Sequence, residues 1–201
     1  MKIVKFCTKA IIAAAILVVA LTSCKRSGWS DAERKIINEP NKTMRVLTVS
    51  DRDDSLFLRK KCAPLDMKQL KSYEYSILAE KMFATVTSPE QDGVGIAGPQ
   101  VGLSRRIVAV QRFDKEGAPF EVYPNIRIIS FNGDKKVGRE GCLSIPGRSG
   151  NVSRYQDISI TYTSIKTYSD TTEQIKGFTA VIFQHECDHL DGILYTDLID
   201  E

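Results

Sequence analysis

The sequence predicts an α+β fold built on antiparallel sheets, and three observations predict it. Leu70, Tyr73, Ile77, Leu78, Met82 and Val86 recur at helical spacing; RIVAVQRF at 106–113 and ISITYTSI at 158–165 alternate as strands do; and GFTAVIFQHECDHLDG, 177–192, has helical length near the end of the chain. Strand runs without intervening helices favour antiparallel pairing over a crossover fold.

Each element has a local reason. Asp66, with Gln69 three residues on, forms a capping box that starts the first helix after Pro64-Leu65. Both strands are expected to be half-buried, the second with Ile158, Ile160 and Tyr162 on its inner side. The closing helix has an apolar first half and ends at Gly192, a helix terminator. Phe178, Val181 and Ile182 are expected to share a face with His185 and His189.

The 201 residues suit one compact domain with a short appendage, and 42% hydrophobic with 26% charged residues is a globular composition. The appendage comes first. Lys2, Lys5 and Lys9 precede an uncharged run from Ala10 to Leu21 that leads into Leu21-Thr22-Ser23-Cys24, the zones of a secretory signal. That run is too short to cross a hydrocarbon core, which takes about 20 helical residues. LTSC resembles the lipobox of bacterial lipoproteins, so residues 1–23 are expected to be removed and Cys24 to carry lipid. The protein is then an exported, membrane-anchored lipoprotein of a bacterial envelope, or cytoplasmic if the lipobox is an accident. Residues 24–45 fit the lipidated cysteine and a polar tether, and residues 46–201 the folded body.

Removing the signal takes three lysines and no acids, which leaves basic and acidic residues equal in number. No basic cluster stands out, so nucleic acid is not an expected partner. Of five cysteines, Cys62, Cys142 and Cys187 remain in the body, an odd number that closes no disulfide framework. A metal is one reason to keep free thiols.

The chain's two histidines, His185 and His189, are four residues apart, so on a helix they rise about 6 Å and project from one face, within reach of one ion. A catalytic site needs a third protein ligand and an open position. Zinc proteases with HExxH find it downstream, but only twelve residues follow His189, with no histidine or suitably placed glutamate among them. Upstream, Cys142 in REGCLSIPG (139–147) sits beside glycine, where a loop or strand end can approach a metal. The alternative is a buried structural cysteine. GVGIAGPQ, 93–100, lacks the Gly-Lys-Ser/Thr of a phosphate loop, and reads as a surface turn or as a close-approach strand lining a cleft, with Gln100 as an amide donor.

GVGIAGPQ, EGCLS and QHECDHLDG, in this order, resemble the three signature motifs of the peptide deformylase family over residues 46–201. The resemblance implies antiparallel sheets packed around a central helix that carries HExxH. It implies one divalent ion, Fe2+ physiologically with Zn2+, Ni2+ or Co2+ as substitutes, held by Cys142, His185 and His189. Glu186 would be the proton carrier, and Gln100 with the Leu143 backbone N–H would receive the oxyanion. The substrate would be an N-formylmethionyl peptide, hydrolysed to formate and a free N-terminus by a monomeric enzyme. Its backbone would pair along Gly95 and Ile96, and its methionine would sit among Val94, Phe178, Val181 and Ile182, each of which reads equally as plain core. Asp188 and Arg154 are expected to pair and steady the helix or orient an imidazole, or else to be exposed charges.

Two departures stand out. Gly98 occupies a position where the family usually has alanine, which is expected to loosen the strand or widen the cleft. Cys187 is expected to pack inside, near enough to Cys142 to make oxidation a concern. Deformylation of nascent chains also belongs in the cytoplasm, at odds with export. The competing classes are an exported HExxH metalloprotease and a non-catalytic lipoprotein that binds formyl-methionyl ends.

Overall fold

A computed structural model of the chain describes residues 28–199. The signal segment 1–23 and Cys24 lie outside the described residues. Four helices come first: α1 (Asp31–Ile37), α2 (Arg52–Leu58), α3 (Met67–Leu70) and α4 (Tyr73–Val86). Strands β1 (Gly95–Ala97), β2 (Ile107–Gln111) and β3 (Phe120–Pro124) make one sheet, and β4 (Arg127–Cys142), β5 (Ile145–Thr163) and β6 (Asp170–Lys176) a second. All pairs are antiparallel, and α5 (Gly177–Leu190) packs against strands of both sheets. This is the expected α+β arrangement around the HExxH helix. Among the described residues no helix is long and apolar enough to cross a membrane.

The core explains why α5 is central. Ile107 and Ala109 of β2 join Leu78, Met82 and Val86 of α4, while Val108 and Val110 join Ala180, Phe183 and Cys187 of α5. The strand expected to be half-buried is therefore buried on both faces from Ile107 to Val110, because a helix covers each side. The second strand is half-buried as expected, with Ile158 and Ile160 inside, but it begins at Ile145.

The helix expected from Asp66 is two helices. Asp66 and Gln69 do form a capping box, but on the four-residue α3. Ser72 then restarts the chain: its hydroxyl donates to Gln69 O at 2.7 Å and accepts from Tyr75 N at 3.3 Å. The restart turns Tyr73 out of the apolar stripe to 79% exposure.

From Gly28 onward the expected tether is folded onto the body. Trp29, Ile37 and Met44 are buried in the α4 cluster, the Trp29 indole N–H donates to Ser72 Oγ at 2.8 Å, and Met44 N donates to Thr85 Oγ1 at 2.8 Å. Burying such side chains is worth roughly 1.5–3 kcal/mol each, enough to hold a segment that looks polar in sequence.

Candidate active site

Strand β4 ends at Cys142, which pairs with Ile145 across a tight turn at Leu143-Ser144. The turn sets Cys142 over α5, a strand end as the sequence allowed. Its Sγ lies 3.2 Å from His189 Nε2, and the ligand atoms of Cys142, His185 and His189 all lie within 4.8 Å of one another. One thiol and two imidazoles converging in this way fit a single divalent ion with a position left for water.

The supporting contacts are as specific. His185 Nδ1 donates to Glu140 Oε2 at 2.9 Å, and Arg154 grips the same carboxylate through Nε (2.8 Å) and Nη2 (3.1 Å). Arg154 Nη1 reaches Asp188 at 2.5 Å, so the pair expected between Arg154 and Asp188 exists, and Arg154 is buried. Glu140 is the residue that sequence reasoning missed. It stands two positions before Cys142 within the quoted REGCLSIPG, and strand alternation puts i and i+2 on one face. Gln184, also missed, braces α5 against β5: its Nε2 donates to Tyr155 O at 2.7 Å and its Oε1 accepts from Tyr155 N at 3.1 Å.

These contacts set the charges. Burial works against a Glu140 carboxylate, but His185 and Arg154 outweigh it and hold its pKa at about 2. Burial likewise opposes a charged His185, yet Cys142 and Glu140 overcome it and raise the pKa to about 10. His189 is pushed well below its ordinary value by burial and by the neighbouring His185 and Arg154 charges. Glu186 goes up to about 7, chiefly through burial.

Glu186 Oε2 has no hydrogen-bond partner among the described residues. A buried carboxylate oxygen left free beside a Cys/His/His set fits a hydrolytic metal site, where it faces water or substrate. Gly95 makes room for this side chain, since a Cβ there would lie 2.5 Å from Glu186 Oε1. Gln100 is buried in the 3-10 turn Gly98–Val101. Its Oε1 accepts from Ala97 N at 2.8 Å, which aims Nε2 at Ser144 Oγ (3.2 Å) and Cys142 Sγ (3.7 Å).

Cys142, His185, Glu186 and Gln100 border a cavity of about 400 Å³. Val94, Gly95, Gln100, Cys142, Leu143, Phe178, Val181, Ile182, His185 and Glu186 line it, Phe178 with 55% exposure. Ile96 does not: its side chain is in the α4 core, and only its backbone remains on β1, the edge strand of its sheet. Two further expectations are corrected. Gly98 does not widen the cleft, because the chain closes on it, and a Cβ there would lie 2.6 Å from Arg105 O. Cys187 packs inside as expected, in the cluster that includes Cys62, but it borders a different hollow from Cys142, and burial pushes its thiol pKa up, against the expected oxidation.

Comparison with known proteins agrees with this geometry. The family model described as polypeptide deformylase matches residues 43–201. A peptide deformylase of Finegoldia magna is 38% identical over 124 residues, 61% of this chain and 72% of that one, and one from a Roseiflexus species is 32% identical over 77% of this chain and 88% of its own. Among solved structures, a class I type b peptide deformylase from Acinetobacter baumannii superposes with a TM-score of 0.70 at 33% identity, covering 78% of this chain and 99% of that one. A Met-Ala-Ser-bound structure of the A. baumannii enzyme has a TM-score of 0.69 at 32% identity, covering 78% and 98%. With three motifs brought to one cavity and a match running through all of them, the chain belongs to the polypeptide deformylase family.

Proposed function

We propose that Cys142, His185 and His189 hold one divalent metal ion, Fe2+ in the working protein, in a hydrolase that removes the formyl group from N-formylmethionyl peptides and releases formate. The convergence of the three ligand atoms beside the unpartnered oxygen of Glu186 carries this reading. A mixed thiol and imidazole set also accepts Zn2+, Ni2+ or Co2+. When bound, the ion supplies Lewis acidity and brings the pKa of water down toward about 7.

The chain's own residues supply the rest. Glu186, with a pKa raised to about 7, takes a proton from the attacking water and delivers it to the departing amine. Gln100 Nε2 and the Leu143 backbone N–H donate to the oxyanion of the tetrahedral intermediate. The peptide adds as a strand beside β1 through the backbone of Gly95 and Ile96, and its methionine side chain occupies the hollow among Val94, Phe178, Val181 and Ile182. A cavity of about 400 Å³ accommodates a side chain of that size. The Met-Ala-Ser found in the A. baumannii relative supports a peptide of this kind.

The residues before the body support export, with Cys24 as the lipid site. Gly28 N is tied to Asp66 Oδ2 at 2.7 Å, so the chain from Cys24 to Gly28 reaches at most about 14 Å and the body sits close to the membrane. There it acts, as a monomer, on formylated peptides outside the cytoplasm. Mass spectrometry of the native protein tests the location: an unmodified Met1 refutes export.

The activity is tested on formyl-Met-Ala-Ser and its unformylated counterpart, anaerobically, with iron or nickel. Formate release from the first alone supports the reading. Internal cleavage without formate would identify a protease, and tight binding without turnover by metal-replete protein a binding lipoprotein; neither alternative is favoured by the family match.

A further inference from the structure

The family match begins at residue 43, yet α1 lies ahead of it and is built into the structure. Glu33 of α1 faces two ways. Its Oε2 closes the capping box on Ser30 N at 2.8 Å, and its carboxylate holds Arg105 through Nε at 2.5 Å and Nη2 at 3.2 Å. Both side chains are largely covered, at 21% and 14% exposure for Arg105 and Glu33.

Arg105 in turn meets the turn that carries Gln100. A Cβ on Gly98 would lie 2.6 Å from Arg105 O and 3.0 Å from Leu103 O, and Leu103 N donates to Gly98 O at 3.0 Å. Ile36 of α1 packs beside Gly102, its Cδ1 3.5 Å from where a Cβ would stand. Gly98 opens the turn whose third residue is Gln100, aimed at Cys142 and Ser144. A side chain at position 98 would hold the 103–105 backbone away, so the glycine and the α1 contact form one arrangement.

We propose that Glu33 and Arg105 are positioning residues for the reaction: their ion pair clamps the 103–105 backbone onto Gly98 and so fixes the direction of the Gln100 amide. This rests on the reading of Gln100 as an oxyanion donor. A donor displaced by a fraction of an ångström loses part of its effect on the transition state while substrate binding is spared.

Glu33→Gln tests it, because glutamine keeps the capping box and removes the charge. The variant is expected to lose about three- to tenfold in kcat with KM changed by less than about twofold. Arg105→Gln should match it, with the double variant no worse than either. In a Gln100→Leu background Glu33→Gln should cost nothing further, whereas a role in overall stability would lower activity by the same factor in both backgrounds. Hydrogen exchange at the Gly102 and Leu103 amides should accelerate in Glu33→Gln with α5 unchanged, and this is read without metal or substrate. Equal fractional losses in both backgrounds, or unchanged exchange at 102–103, would overturn the clamp. If the parent protein releases no formate, the functional reading falls and the exchange result alone decides the clamp.

Discussion

His185 Nδ1 donates to Glu140 Oε2 at 2.9 Å, and this one bond fixes which ring nitrogen faces the thiol of Cys142. With Nδ1 taken, Nε2 is the nitrogen free to act as ligand, and the carboxylate raises its basicity. Glu140 also neutralises Arg154, which among the described residues would otherwise pair with Asp188 alone.

Glu140→Gln should therefore weaken metal binding about 10- to 100-fold, measured by competition with a chelator. It should also cost about 3 kcal/mol of stability in denaturant, because a buried guanidinium loses its main partner. Unchanged affinity would mean that His185 needs no orienting group.

The Glu186 carboxyl predicts a pH dependence in the metal-free protein. Its folded pKa of about 7 lies above the ordinary 4.5, so the folded state holds a proton that the unfolded state releases between these values. Stability contributed by this group is thus full below about 4.5 and lost as pH rises through about 7, by up to about 3 kcal/mol. Glu186→Gln should be more stable than the parent at pH 8 and equal to it at pH 4, with metal content retained and formate release abolished. A pH-independent difference in denaturation midpoints would contradict the buried-carboxyl account.

Gly95→Ala should act on chemistry with little effect on metal content. The added methyl would collide with Glu186 Oε1 and Ile182 Cγ2, and a displacement of about 1 Å in a proton carrier is worth on the order of 100-fold in kcat. Full activity in the metal-loaded variant would show that Glu186 is not confined as described.

Gly98→Ala should destabilise by about 1–3 kcal/mol, because the new methyl meets the Arg105 and Leu103 carbonyls. Thermal denaturation measures this, and a raised midpoint would mean that the 103–105 segment yields freely.

What the sequence disclosed and what it hid follow from the range of each signal. Helix α5 and its two histidines were legible because HExxH and an apolar helical period are local, and Cys142 and Gln100 because each lies in a short motif. Glu140 was hidden beside them, since its function depends on Arg154, fourteen residues away across the β4–β5 hairpin. The packing of Trp29, Ile37 and Met44 was hidden because three apolar residues so widely spaced have no period. The break before α4 was hidden because Ser72 falls inside an apolar stripe, where only its bonds to Gln69 and Tyr75 reveal it as a cap. The double burial of β2 depends on two helices far apart in the chain, α4 and α5.

X-ray absorption of the zinc-loaded protein tests the metal centre most directly. One sulfur is expected at about 2.3 Å and two imidazole nitrogens at about 2.0–2.1 Å, with the sulfur lost in Cys142→Ala. A shell of nitrogen and oxygen alone in the parent protein would contradict it.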